Sequence, residues 1–284
     1  MAGENKIMNE KKIKISVPNY ISQTIKNDTE YFNIKKNNLC NTIFERLTKN
    51  YEKIPKKKFT DKIQFNLNKS NRNKYDDLLG DEIIESDSIF FREIFDKYCS
   101  MPRYQREKIL FKKHYEIIED AIKNKLKVKI RYNGTLRLIE PYFFKNVKNE
   151  STNYIFAYCY KRKEHSVYKL SKIEEAFLKI TQKQENYNAE YIKTMEKNFD
   201  PFLSYGQKVK VRFTKQGKEL FNNILIYNRP KILEQKDNTY TLEATEMAAK
   251  VYFRAFLKEV EIIEPISLRN WIKRELQEAL KNYS

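Results

Sequence analysis

Residues 153 to 173 read NYIFAYCYKRKEHSVYKLSKI, a stretch whose chemistry is flat rings beside positive charge. Tyr154, Phe156, Tyr158, Tyr160 and Tyr168 lie close in sequence to Lys161, Arg162, Lys163, Lys169 and Lys172. Aromatic faces next to cations suit single-stranded nucleic acid: each stacked base contributes about 1–3 kcal/mol and the cations follow the phosphates. Strand alternation sends Ile155, Ala157 and Cys159 one way and Tyr154, Phe156, Tyr158 and Tyr160 the other, and one of these sides must fill a core. Most rings here are therefore expected to be packing.

Catalytic constellations are absent. Five glycines in 284 residues leave no phosphate-cradling loop, and there is no Gly-x-Ser-x-Gly elbow, no His-Glu-x-x-His helix and no ordered Cys-His-Asp set. Pairs such as Asp76-Asp77 and Glu174-Glu175 read as solvated faces, and His114 on a basic helix is the lone candidate for a nuclease base. Cys40, Cys99 and Cys159 are odd in number and widely spaced, which points to buried thiols in a reducing compartment rather than to a zinc site or a disulfide framework. The expectation is a non-enzyme without cofactor or metal.

The elements that position these residues follow from periodicity. KKIKISV alternates Lys12, Lys14 and Ser16 with Ile13, Ile15 and Val17, so it is a half-buried strand, and Pro18 opens a helix that buries Ile21 and Ile25. A second helix carries Leu39, Ile43, Phe44 and Leu47. The order then returns: DKIQFNL sets Lys62, Gln64 and Asn66 opposite Ile63, Phe65 and Leu67, a short helix ends near Gly80, and a helix capped by Asp87 or Ser88 buries Ile89, Phe90, Ile94, Phe95 and Tyr98. EKIPKKKFT between the copies is a basic linker. Further on, Ile117, Ile118, Ala121 and Ile122 give a helix, Leu126 to Tyr132 a strand with one basic face, Asn133-Gly134 a tight turn, and TLRLIEPYFF, TNYIFAYCY and HSVYKL more strands. After a linker over 183–204, the C-terminal part runs strand, helix, hairpin around Asp237-Asn238, helix, strand, helix. That is an α+β sandwich with Phe253, Phe256, Leu257, Val260 and Ile262 in its core and Trp271 as core or anchor.

Charge narrows the partners. The 56 Lys and Arg against 38 Asp and Glu give a formal +18, which attracts polyanions such as nucleic acid, although a Lys-, Asn- and Ile-rich composition also places Lys on any wet face. No stretch approaches the ~20 apolar residues of a membrane helix and the N terminus is charged throughout, so a cytoplasmic protein of bacterial or phage origin, with no membrane partner, is expected.

The repeated strand-helix-helix order, with KIKISVPNYI and the SDSIFFREIF type of helix, resembles the ribbon-helix-helix DNA-binding unit. The resemblance implies that two copies pair their strands, within one chain or between two. The polar faces of Lys12, Lys14, Ser16, Lys62, Gln64 and Asn66 would then enter the major groove, where Lys suits guanine O6/N7 and Gln suits adenine N6/N7. The order of a helix with AI, a strand ending at Tyr132, RLIEP at 137–141, NYIFAYC at 153–159 and YKLSKI at 168–173 resembles the WYL domain, with Asn153, Tyr154 and Ile155 at the naming positions. That resemblance implies an SH3- or Sm-like β-barrel in a regulator and an effector pocket using Arg137, Tyr154, Lys169 and Lys172. Arg162 or His165 would replace an arginine that is Ser166 here, and Lys for Arg keeps charge but loses the bidentate fork. The C-terminal part resembles the extension that follows WYL domains, implying dimer contacts.

The expected organisation is α+β: a ribbon-helix-helix-like tandem over 10–102, a WYL barrel over 103–182, the linker, and a sandwich over 205–284. The expected function is a homodimeric transcriptional regulator whose ribbon binds double-stranded DNA and whose barrel senses an anionic or single-stranded nucleic-acid effector. The alternative is an accessory single-stranded RNA-binding protein of a CRISPR or phage-defence system. A dimerisation scaffold without nucleic acid is a third reading.

Overall fold

The computed structural model describes residues 11–48, 59–84, 86–146, 152–226 and 229–283. The expected basic linker lies outside them apart from Phe59 and Thr60. Ten α-helices and three antiparallel sheets are present among the described residues, in two compact units. One unit runs to Ile117 and includes Asn153 and Leu170–Glu174; the other holds Ile118–Glu150, Tyr154–Lys169 and Glu175–Ser284.

In the first unit, β1 (Lys12–Val17) leads through Pro18 into α1 (Asn19–Phe32) and then α2 (Lys36–Leu47). Asn33 ends α1 in the left-handed region (φ 53°), with its N–H and that of Ile34 returned to Glu30 and Thr29 carbonyls, the usual way to close orphan groups at a helix end. The pattern repeats as β2 (Asp61–Asn66), α3 (Lys69–Gly80) and α4 (Asp87–Ser100), followed by α5 (Arg103–Leu110) and the start of α6 (Lys112–Asn124). Asn68 caps α3 by accepting from the Asn71 N–H, whereas α4 is preceded by Ser86, so neither Asp87 nor Ser88 is the cap. Strands β1 and β2 pair with each other, and their undersides, Ile13, Ile15, Val17, Ile63 and Phe65, join Leu39, Ile43, Phe44, Phe90, Ile94, Phe95 and Tyr98 in one core. Phe91 is its hub, with ring centroids of Phe44, Phe65 and Phe90 5.4–5.6 Å away. Ile89, expected inside, is exposed; the stripe uses Phe91 instead, two positions on and on the opposite side of the helix. Asp28, fully buried, accepts from Arg106 Nε (2.6 Å) and Nη2 (2.9 Å) and from the Tyr98 hydroxyl (2.7 Å), tying α1 to α4 and α5.

The second unit contains β3 (Leu126–Tyr132), β4 (Thr135–Asn146) and β6 (Glu164–Lys169), together with β5 (Asn153–Cys159) and β7 (Ile173–Lys183) apart from their first residues, in sheet order β6-β5-β4-β3-β7. Asn133 (φ 49°) and Gly134 (φ 69°) make the tight turn between β3 and β4, where two successive positive φ angles favour that dipeptide. The expected barrel is not formed. Closure requires a ladder joining the two edge strands, and here β6 and β7 sit at opposite edges with a 3-10 turn, Leu170–Lys172, between them in sequence. In α6 only Ile118 and Ala121 are fully buried, Ile117 and Ile122 partly. Buried Glu140 takes hydrogen bonds from the Tyr142 and Tyr160 hydroxyls and from the N–H groups of Glu185 (2.8 Å) and Asn186 (2.9 Å), so it fastens the segment after β7 to the sheet.

The linker forms α7 (Ala189–Lys197), whose Ile192 and Met195 pack on Tyr142, Phe143 and Phe156. Then follow β8 (Lys208–Phe213), α8 (Lys215–Glu219) continuing into a π-helical turn, β9 (Lys231–Lys236), β10 (Thr239–Glu243), α9 (Glu246–Phe253), β11 (Val260–Glu264) and α10 (Ile266–Leu280). The sheet order is β11-β8-β10-β9, with Phe253, Phe256 and Ile262 in the core, as expected. Leu257 is instead 64% exposed, because it lies in the 3-10 turn before β11, and Val260 is only partly covered. Trp271 packs against this core, and Lys250 and Arg254 lie over its ring at 5.2 and 5.3 Å. No helix among the described residues is long and apolar enough to cross a membrane.

Candidate nucleic-acid interface

The β1–β2 ladder sets Lys12 opposite Asn66, Lys14 opposite Gln64 and Ser16 opposite Lys62. Directly paired residues share a face, so all six residues expected to meet DNA lie on one side of the ribbon. Lys12, Lys14, Lys62 and Gln64 are exposed, Ser16 and Asn66 half-buried, and the opposite side is apolar and buried. Three lysines and three neutral hydrogen-bonding side chains make up the outward face; Asp61, the carboxylate on the ribbon, has the parity of the buried side. It accepts hydrogen bonds from Ser22 and from Asn19 (3.1 Å), and these hold its carboxyl below the ordinary range despite some burial.

Asparagines absent from the sequence-based site hold the ribbon in place. Asn37 Oδ1 accepts the Asn66 N–H (2.7 Å), Asn41 Nδ2 donates to the Asn66 carbonyl (2.8 Å), and Asn41 Oδ1 accepts the Asn68 N–H (2.9 Å). Asn41 is in turn held by Asn71 Nδ2. Their i, i+4 spacing on α2 would place them on one helical face, but nothing in the sequence reveals that the end of β2 lies beneath it. Near the same end Lys11 pairs with Asp87 (3.1 Å) and lies 4.7 Å from the Tyr75 ring centre, so this lysine is engaged rather than offered outward. The ribbon thus has a buried apolar underside and a cationic, hydrogen-bonding top, and a two-stranded ribbon is one of the elements a DNA major groove admits.

The second candidate surface is the five-stranded sheet. Tyr154 pairs with Lys169 and Ile155 with Tyr168, so Tyr154 and Tyr168 face opposite sides. Both sides are covered: Tyr154, Ile155, Phe156, Ala157 and Cys159 are all buried. On the Tyr154 side, His165 lies among rings, stacked 5.3 Å from Phe156 and 4.7 Å from Tyr191, with Tyr158 and Tyr142 at 5.5 and 5.9 Å. On the other side the Arg137 guanidinium lies 5.8 Å from the Tyr132 ring and 5.9 Å from that of Tyr168.

Residues 113–178 match the WYL domain. No curated protein matches the chain. Among solved structures, the whole chain superposes on 96% of a crystallised CRISPR Cas-related protein with a TM-score of 0.75 at 14% identity, a likeness of fold. The proteasome accessory factor B/C of Arthrobacter aurescens also aligns, over 100% of this chain and 52% of its own, at a TM-score of 0.33 and 13% identity.

The WYL segment does not gather its six expected effector residues. Arg137 is on one face of the sheet, whereas Tyr154, Lys169 and His165 are on the other. Tyr154 is 3% exposed, with the Lys169 Nζ 5.5 Å from its ring centre and the Phe199 ring at 6.0 Å, so no base can stack on it in this conformation. Burial lowers the His165 pKa, outweighing the nearby Glu140 charge, so this imidazole is neutral at pH 7 and does not supply the expected cation. Arg162 is about half-exposed beside Glu164 (3.9 Å), and Lys172 is exposed in the 3-10 turn. Asn153, at the first naming position, is buried; its N–H (2.7 Å) and side-chain amide (2.6 Å) donate to the buried Glu107 carboxylate, which also accepts the Ser171 N–H (3.0 Å).

Around Arg137, polar atoms are left over. Arg137 Nε and Ser166 Oγ are buried and have no hydrogen-bond partner, whereas the Tyr168 hydroxyl, on a side chain 1% exposed, is engaged by the Cys159 thiol and the Arg137 guanidinium. Buried polar groups without partners are costly, so such a cluster suits a ligand that supplies acceptors. No group of His, Cys, Asp and Glu side chains able to hold a metal occurs among the described residues.

Proposed function

We propose that the chain is a nucleic-acid-binding transcriptional regulator whose N-terminal ribbon reads duplex DNA and whose WYL segment senses an anionic effector on the Arg137 side of its sheet. The observation that carries the first half is the ribbon register, which brings Lys12, Lys14, Ser16, Lys62, Gln64 and Asn66 onto one outward face without an acidic neighbour on it. The effector half rests on the unpartnered buried atoms Arg137 Nε and Ser166 Oγ. Coupling needs only that the effector prefer one state of the protein over another.

Replacing Lys14 with Ala is expected to weaken duplex binding by about 1–3 kcal/mol and to leave effector binding unchanged, whereas Arg137→Ala does the reverse. Titrations near physiological salt with duplex from upstream of the protein's own gene, and with short single-stranded oligonucleotides as the effector probe, check this. Equal losses at both ligands in either variant would end the division of labour.

A second reading is favoured by the fold likeness to a CRISPR Cas-related protein: an accessory protein that grips single-stranded RNA directly. The burial of Tyr154 counts against stacking as its mode of binding. Competition decides between the two. Single strands that displace the duplex, with their binding abolished by Tyr154→Ala and untouched by Lys14→Ala, would make the accessory reading the better one.

A further inference from the structure

We propose that the ribbon reads one non-palindromic duplex site and that a single chain occupies it, an inference that rests on the duplex-reading function above. The ladder supplies its own symmetry axis. Lys12 pairs with Asn66 and Ser16 with Lys62, so a local two-fold axis through the central Lys14–Gln64 pair interchanges Lys12 with Lys62, Ser16 with Asn66 and Lys14 with Gln64. The order of elements repeats across this axis: each strand is followed by two helices, β1 by α1 and α2, β2 by α3 and α4.

The outward side chains break it. Lysine stands at both ends of the exchange between positions 12 and 62, but the other two exchanges set an ammonium against an amide and a hydroxyl against an amide. Lys14 can only donate, which suits guanine O6 and N7; Gln64 donates and accepts together, which suits adenine N7 and N6. Ser16 offers a short hydroxyl where Asn66 offers an amide on a longer stem, so the reach toward the groove floor also differs. A ribbon built from two identical strands presents the same groups to both half-sites. This one presents two different sets, so the two halves of its DNA site must differ in sequence.

The second consequence concerns stoichiometry. Both strands come from one chain and are hydrogen-bonded to each other along their full length, with Thr60 and Leu67 extending the pairing to Val17 and Lys11. The reading face is complete without a second copy. The underside repeats the asymmetry, since Ile15 is exchanged with Phe65 by the same axis. Reassembly with a strand from another chain in place of the partner would therefore change the core as well as the face.

The experiment is selection from a randomised duplex pool with the full chain near physiological salt, followed by trimming to the shortest duplex that keeps full affinity. Sedimentation of that complex counts the chains. The expected result is a sequence that is not its own reverse complement, bound by one chain. A palindromic shortest site, or one that needs two chains, would overturn the inference and leave duplex reading intact. Failure to enrich any duplex would instead remove the function on which it rests.

Variants test the axis itself. Lys14→Gln is expected to weaken the selected site about ten-fold or more. The exchange K14Q/S16N/Q64K/N66S recreates the same face turned by half a rotation, so it should bind the same duplex within a few-fold but in the opposite orientation. A photo-crosslinker in place of the exposed Lys36 would then mark the opposite flank of the site. Losses that accumulate in the exchanged chain, with circular dichroism showing it folded, would refute the assignment of paired roles; should that chain not fold, the selected sequence of the unaltered protein still decides.

Discussion

Two buried carboxylates, Asp28 and Glu140, show how single side chains hold this protein together. Asp28 is a charge with no exposed surface, neutralised by the two-pronged Arg106 contact and the Tyr98 hydroxyl. Removing one member of such a pair leaves the other unpaired in a poorly solvated place, which costs about 3–5 kcal/mol. Arg106→Met is accordingly expected to lower the denaturant midpoint of the first unit sharply, while the double change Asp28→Leu with Arg106→Met recovers part of the loss, measured by urea unfolding followed in the far-UV. Glu140 offers a pH test. Burial raises its carboxyl, but hydrogen bonds from Tyr160, Tyr142 and the N–H groups of Glu185 and Asn186 outweigh this and leave its pKa below the ordinary value. A depressed carboxyl contributes stability that is complete above its unfolded pKa and is lost as pH falls through the folded one. Glu140→Gln should therefore flatten the acid limb of stability below about pH 4.5, the usual glutamate range, in the second unit. An unchanged acid limb would mean the clasp is formed equally by the protonated acid.

At the scale of elements, alternation and turn signals were legible because they act between near neighbours, whereas the α4 cap fell on Ser86 and not on Asp87 or Ser88. The strands at Lys12–Val17 and Asp61–Asn66, the Asn133-Gly134 turn and the C-terminal order of strands and helices all follow from local pattern. The open sheet was not legible, because the YKLSKI motif fixes the local turn at Leu170–Lys172 but not whether β6 and β7 pair. The covering of Tyr154 was hidden for a related reason: Phe199, close to its ring, belongs to the segment after α7, and nothing in NYIFAYC announces that partner. Likewise the clasps on Glu107 and Glu140 join residues more than forty positions from at least one partner. Gly217, in the first turn of α8, is a further case. A methyl group there would stand 2.1 Å from the Glu259 carbonyl oxygen, a distance that forces backbone to move. Gly217→Ala is expected to destabilise the second unit by about 1–3 kcal/mol, as overpacking does, and a thermal melt of the two chains side by side would show it. An unshifted melt would mean that the turn before β11 yields freely.

For the molecule as a whole, the ribbon differs from an assembly of separate subunits in one respect that affects how it works in solution. Its two strands are tethered, so their meeting is an intramolecular event, governed by an effective concentration in about the millimolar range rather than by how many copies are present. Dilution cannot separate the halves. A duplex titration should keep a simple one-site shape down to the lowest protein concentration that can be measured, without the steepening that appears when binding must first assemble a dimer. The tether also frees the two halves to drift apart in sequence: a change at Gln64 need not be matched at Lys14, as it would be if both came from one gene product used twice. Duplication within the chain thus turns a face that would have been bound to symmetry into two that can be tuned one residue at a time.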